Sequence, residues 1–205
     1  MAGSMYPEGS RLFRALQRYR PYICPFEILI EEVPAGASVL DIGCGAGLFL
    51  GLLDAAGREP TGVGFDVSPH GIKLAKAMSA KGKARLTFHR LDAEDAWPAG
   101  EFDIVALIDV LHHVAPDAQE GCVRRACRAV KPGGSFLYKD MVSKPRWRAL
   151  ANRAHDLVLA RQWIHYAPIA EVEKWVRDEG FKLQRADRID RLWYGHEFRV
   201  FKHPG

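Results

Sequence analysis

Cysteine is scarce in this chain, and what there is does not pair by spacing. Four residues in 205, Cys24, Cys44, Cys122 and Cys127, show no Cys-x-x-Cys arrangement, which argues against a disulfide framework and a zinc knuckle and leaves reduced thiols. No apolar run approaches the ~20 residues a bilayer-spanning helix needs, and no charged-then-apolar leader opens the sequence, so the expectation is a cytoplasmic protein. Low-complexity tracts, repeats and linkers are missing as well. Charge of one sign is in short supply: 29 basic against 25 acidic side chains leave +4, too thin a phosphate footprint for nucleic acid to be an expected partner. What is present, 48% hydrophobic and 26% charged residues, is the composition of a globular chain with a real core. At ~150 residues per domain this predicts one domain with a modest appendage.

From Ser38 to Asp140 short β-branched runs alternate with amphipathic stretches, the signature of βαβ units around a parallel sheet. Strands are predicted over Ser38–Ile42, Pro60–Asp66, Arg85–His89, Asp103–Ile108 and Ser135–Asp140. Between them, Leu48 begins a helix that Gly57 can end, and Ser68-Pro69 reads as an N-cap with proline at the first helical position. A helix over Ala118–Ala129 is stopped by Pro132. Beyond Asp140 the alternation breaks. Trp147, Leu150, Ala151, Ala154, Leu157 and Val158 form one apolar stripe of an extra helix within a lid insertion at about 144–166. A helix over Pro168–Glu179 follows, and then two strands, Phe181–Ile189 and Glu197–Lys202, with a turn around Gly195. Segment 1–32 is expected to be helical, with a short helix inside Ser10–Tyr19, and 33–205 to form a single domain. The fold class is therefore α/β: a doubly wound, seven-stranded, mostly parallel sheet with one antiparallel edge strand and helices on both faces.

The first strand runs straight into Asp41-Ile42-Gly43-Cys44-Gly45-Ala46-Gly47. Glycines here let backbone approach a ligand closely and turn into a helix N-terminus. A dinucleotide fingerprint wants its third glycine at Leu48, and this loop reads G-x-G-x-G instead. Asp66 closes the second strand 19 residues after Gly47, near the ~20 at which an acid meets ribose hydroxyls. Capping of the next helix is its alternative duty, which Ser68 already offers. With Asp41 inside the loop, Leu91-Asp92-Ala93 after the third strand and Lys131-Pro132-Gly133-Gly134 before the fifth, the sequence resembles the class I S-adenosylmethionine-dependent methyltransferases. That resemblance implies S-adenosylmethionine as cofactor, held by Asp41, Gly43, Cys44, Gly45, Gly47, Asp66, Val67, Asp92, Ala93 and Ile108. A dehydrogenase and a polyamine synthase are the minor alternatives.

The acceptor side turns on Ile108-Asp109-Val110-Leu111-His112-His113-Val114. Neither an Asn/Asp-Pro-Pro-aromatic run nor a Pro-Cys nucleophile of the nucleic-acid methyltransferases is there. The Leu-His-His-Val run is instead similar to the small-molecule enzymes of the ubiquinone and menaquinone type, which implies a small acceptor, and the aromatics Tyr19, Tyr22, Phe26, Trp163 and Tyr166 suggest that it is apolar or aromatic. In that family's sheet the fourth and fifth strands are neighbours, so His112 and Asp140 are expected to meet, His112 as general base and Asp140 as its orienting partner. His113 is expected to point elsewhere; with Tyr22, Trp163 and Tyr166 it makes up the expected acceptor surroundings. The arrangement also resembles C-methyltransferase domains that act on carrier-bound polyketides. Asp109 and Asp140 match two acids of the magnesium-dependent catechol-type enzymes, but Met141 stands where an asparagine ligand belongs, and no metal is expected. The segment 144–161 carries Lys144, Arg146, Arg148, Arg153 and Arg161 against Asp156 alone. A solvated helix face is the plain reading, a peripheral membrane or acyl-carrier-protein contact the specific one. A non-catalytic cofactor-binding subunit is the alternative from another functional class.

Overall fold

The computed structural model describes residues 5–6, 9–92, 95–98, 100–142, 165–191 and 194–205. Its elements, in chain order, are α1 (Arg11–Ile23), α2 (Phe26–Glu31), β1 (Ser38–Ile42), α3 (Leu48–Ala55), β2 (Thr61–Asp66), α4 (Pro69–Ser79) and β3 (Arg85–Arg90). There follow β4 (Phe102–Ile108), a 3₁₀ turn (Leu111–His113), α5 (Pro116–Arg128), β5 (Val130–Met141), α6 (Ile169–Asp178), β6 (Lys182–Arg191) and β7 (Tyr194–Lys202). The seven strands are ordered β3-β2-β1-β4-β5-β7-β6. The expected antiparallel strand is β7, inserted between β5 and the outermost β6 and antiparallel to both. The chain divides into two compact units, Met1–Ala106 and Leu107–Gly205.

In the first unit β1 pairs in parallel with β2, and β2 with β3. Val39 and Leu40 are both wholly buried, so successive residues of β1 are covered on both faces, as a parallel sheet requires. Ser68 caps α4 by accepting from the Gly71 N–H at 3.1 Å, with Pro69 at the first position, as its sequence predicts. The far ends of β1 and β4 are stitched by Asp103, whose carboxylate accepts from the Ser38 N–H and hydroxyl at 2.9 and 2.7 Å. Two N-terminal features differ from expectation. Helix α1 runs through Pro21 to Ile23, four residues past Tyr19. Helix α2 has only six residues, too few to show a helical period, and is held by burial of Phe26 and Leu29.

In the second unit β5 is twelve residues long, because Lys131-Pro132-Gly133-Gly134 join its start rather than preceding it. One face of the β5–β7 ribbon carries Phe136 stacked on Phe201 at 6.1 Å, and the opposite face buries Leu137, Val200 and Phe198. Gly195 is not at the turn between β6 and β7: it lies inside β7, opposite Asp190, and the pairing continues to Arg191 opposite Tyr194. Glycine there suggested a turn, but the pairing of a long antiparallel ribbon overrides one weak residue. Helices α5 and α6 are tied by Arg124, which pairs with Glu179 at 2.9 Å and Asp178 at 3.2 Å. The apolar-striped helix and most of the lid insertion at 144–166, including its basic stripe, lie outside the described residues. Among the described residues, no helix is long and apolar enough to cross a membrane.

Candidate active site

The glycine loop of the first unit is built from left-handed backbone: Gly43, Gly45 and Gly47 have φ of 67, 53 and 74°. Gly47 is required twice over, since a Cβ there would also stand 2.8 Å from the Phe88 ring. At Gly45 the reason is different. A Cβ would meet nothing within 4 Å, so the space above it is open to a ligand. The Gly45 N–H donates to Asp66 Oδ2 at 2.8 Å, and the Ser68 N–H to Asp66 Oδ1 at 2.8 Å. Asp66 therefore braces the loop against the β2–α4 turn with one lone pair of each oxygen, leaving the others for a ligand. Cys44 is buried, and burial pushes its thiol far above the usual range, which makes it packing rather than chemistry.

Asp41, 2% exposed, is the most unusual charge of this unit. Burial pushes its carboxyl up to about 8, the neighbouring Asp66 adds to the rise, and Arg20 opposes it. Such a buried acid suits the cationic end of a ligand. Tyr6, which sequence reasoning passed over, is 1% exposed and donates its hydroxyl to the Ala46 carbonyl at 3.1 Å. Phe13 packs edge-on against it, so the N-terminal segment covers the loop. Nothing in the sequence marks a tyrosine this far upstream. Beyond β2, Val67 is 54% exposed and lines, with Arg90, Leu91, Asp92 and Asp95, an open pocket of 390 Å³. The Asp92 N–H donates to Asp95 at 2.7 Å, which fixes the turn after β3. Ala93 lies outside the described residues, and Tyr22 is 69% exposed on α1.

The second unit brings together the pair expected from the strand order. Ile108 ends β4 buried, and the chain turns at Asp109 into the short 3₁₀ turn carrying His112. His112 Nδ1 lies 2.5 Å from Asp140 Oδ1, and the His112 backbone N–H donates to Asp140 Oδ2 at 3.3 Å. A carboxylate facing Nδ1 selects the tautomer protonated there, which leaves the Nε2 lone pair to accept a proton. His112 is 2% exposed. His113 is exposed with its ring 4.1 Å from that of His112, and the Tyr166 ring is 6.2 Å away. Trp163 lies outside the described residues. The His165 N–H donates to the His112 carbonyl at 2.8 Å. Gln119, missed from sequence, is buried and sends its amide to the carbonyls of Leu111, His165 and Val114 at 3.1, 2.7 and 3.4 Å. Its signal was there: Gln119, Cys122, Val123 and Ala126 fall on one helical stripe, and a polar residue on that stripe needs partners.

The acids weighed for a metal are engaged otherwise. Lys139 Nζ donates to both oxygens of Asp109 at 2.6 Å, and Asp140 serves His112. Among the described residues, no group of three His, Cys, Asp or Glu side chains is placed to hold a metal ion.

Fold, glycine cradle and buried His–Asp pair define a class, and the family comparison agrees with it: the methyltransferase domain family matches residues 10–186, and the chain belongs to it. Among curated relatives, the ubiquinone biosynthesis O-methyltransferase of Methylobacterium sp. (strain 4-46) is 36% identical over 84% of this chain and 66% of its own. That of Xanthomonas axonopodis pv. citri (strain 306) is 32% identical over 74% of this chain and 65% of its own. The chain thus spans a little under two thirds of these relatives. Among solved structures, an O-methyltransferase family protein from Burkholderia thailandensis superposes with a TM-score of 0.74 at 23% identity, over 94% of this chain and 58% of that one. At that identity the likeness is one of fold.

Proposed function

We propose that this chain transfers a methyl group from S-adenosylmethionine to a hydroxyl oxygen of a small apolar or aromatic acceptor, with His112 as general base. The observation that carries the reading is the buried His112–Asp140 pair. The cofactor, when bound, supplies an already activated methyl group on a sulfonium. Its fit rests on the open space above Gly45, the braced Asp66 carboxylate and the buried Asp41.

The chain's own task is then orientation, exclusion of water and removal of one proton. A phenol with a pKa near ~10 does not give its proton outright to an imidazole near ~6.5, so His112 Nε2 must accept it as the oxygen is methylated. Asp140 holds the tautomer and stabilises the imidazolium that forms. The name of the ubiquinone biosynthesis O-methyltransferases among the relatives supports oxygen as the methylated atom.

Incubation of the protein with S-adenosylmethionine and a panel of phenols and catechols, read by mass spectrometry, should show methylated product with the demethylated cofactor. His112→Ala should slow transfer by ~10²-fold or more with cofactor affinity kept, and Asp140→Asn by less. An unchanged rate in His112→Ala overturns the reading. Cofactor binding without transfer to any phenol, amine or carbon acid replaces it with the cofactor-binding subunit.

A further inference from the structure

Two acid–base pairs tie the end of β4 to β5, and the proton-transfer chemistry uses only one. Asp140 takes His112. One residue earlier on β5, and so on the opposite face of the strand, Lys139 donates to Asp109 Oδ1 and Oδ2, each at 2.6 Å. The Lys139 side chain is wholly buried, and its backbone carbonyl accepts from the Asp109 N–H at 2.8 Å. Asp109 is thus gripped by both backbone and side chain of the same residue.

What this grip enforces is a conformation that aspartate does not choose freely. Asp109 has φ of 55°, in the left-handed region that costs a non-glycine residue energy, aspartate less than most. A strand end could dispense with both features. Glycine would adopt the turn without strain, and an apolar side chain would fill the place of Lys139 without the cost of burying a charge. The residues present instead fix the backbone three positions before His112, and the 3₁₀ turn that follows carries its ring to Asp140.

We infer that Lys139 and Asp109 are positioning residues: they hold the β4 terminus in the left-handed turn that delivers His112 to Asp140 and so select its Nδ1–H tautomer. Their catalytic consequence rests on the methyl-transfer reading; the geometric one does not. The titratable groups facing the histidine are Asp140 on β5, His113 and Tyr166; Glu197 on β7 stands opposite Asp140 in the ribbon, and Tyr138, two residues before Asp140, lies in the field of Asp140, Asp109, Glu197 and Arg199.

Asp109→Gly is the decisive variant, because glycine permits the left-handed turn but, without the carboxylate clasped by Lys139, no longer holds the backbone in it. Nitrogen-15 NMR of the ring in the full chain, with the demethylated cofactor present, reports tautomer and titration without any acceptor. In Asp109→Gly the Nδ1–H tautomer should lose its dominance, and His112 should titrate lower by about one pH unit, because its contact with the Asp140 carboxylate is slackened. Asp109→Asn tolerates the turn and keeps an oxygen for Lys139, so it should keep the tautomer. Turnover on a phenolic acceptor should fall ~10-fold or more in Asp109→Gly, with cofactor affinity unchanged. A wild-type tautomer and titration in Asp109→Gly, whatever its melting temperature, overturns the inference. An unimpaired His112→Ala overturns the methyl-transfer reading instead, and leaves the NMR result standing.

Discussion

Replacing Asp41 with asparagine should make the ligand-free protein more stable near neutral pH and remove a slope in its stability against pH. In the folded chain burial, reinforced by Asp66, lifts this carboxyl from 3.8 to about 8. Folding between those limits therefore takes up a proton that the unfolded chain has released. The sign follows from linkage: a folded pKa raised above its unfolded value makes an acid cost stability as pH rises, at about 1.4 kcal/mol per pH unit, until the folded group itself ionises near about 8. Accumulated to neutral pH, this amounts to about 4 kcal/mol at most, and relaxation around the group makes about 2 kcal/mol the more realistic gain for Asp41→Asn. Thermal melts from about pH 5 to pH 8 should show the wild-type midpoint falling relative to the variant's. The ligand makes the second half of the test. A cationic end placed against Asp41 should drive its proton off, so calorimetry in buffers of different ionisation enthalpy should find a proton released on binding in the wild type and none in Asp41→Asn. Parallel melting curves across that range, together with binding that releases no proton, would refute the assignment of a protonated, ligand-facing Asp41.

Three further outcomes follow from the same geometry. Asp66→Ala should lower stability by about 1–3 kcal/mol, by stranding the N–H groups of Gly45 and Ser68, and abolish most cofactor binding, as melts and calorimetry would show. Gly45→Val should leave packing untouched, because the space is open, yet cost about 1–3 kcal/mol for a branched residue at φ 53° and block the ligand; equal cofactor affinity would contradict this. The Glu179 carboxyl is held below its ordinary range by Arg128 and Arg124, so its stabilisation is fully present above the usual glutamate pKa and is lost as pH falls through the lowered value. Acid melts of Glu179→Gln should lack that loss.

Local chemistry made much of the fold legible. The β1–loop–α3 unit, the Ser68-Pro69 start of α4 and the seven strands follow from periodicity and caps, which act within a few residues. The His112–Asp140 contact was readable because strand order supplies the long-range step: two adjacent strand ends must bring their next residues together. What escaped were partnerships with no such guide. Lys139 sits in a β5 run of buried residues, where a charge reads as an anomaly rather than as the clasp on Asp109. Asp109 was weighed only as one of two acids matching positions of the magnesium-dependent enzymes, because its left-handed backbone leaves no mark in an Ile-Asp-Val tripeptide. Tyr6 was hidden by distance, its carbonyl partner being 40 residues away at Ala46.

The Gln119 amide, which donates to the His165 carbonyl, and the His165 N–H, which donates to the His112 carbonyl, together decide what holds the base-bearing turn in place. Val142 is pinned to Gly195, and His165 to both Gln119 and His112, so residues 143–164 join two fixed posts. The place of the His112 turn is thus set by these hydrogen bonds at the two ends. A loss of the Gln119 amide would loosen one post and the base-bearing turn together. Gln119 is therefore the residue through which a change in α5 would reach the proton acceptor without touching either member of the His112–Asp140 pair.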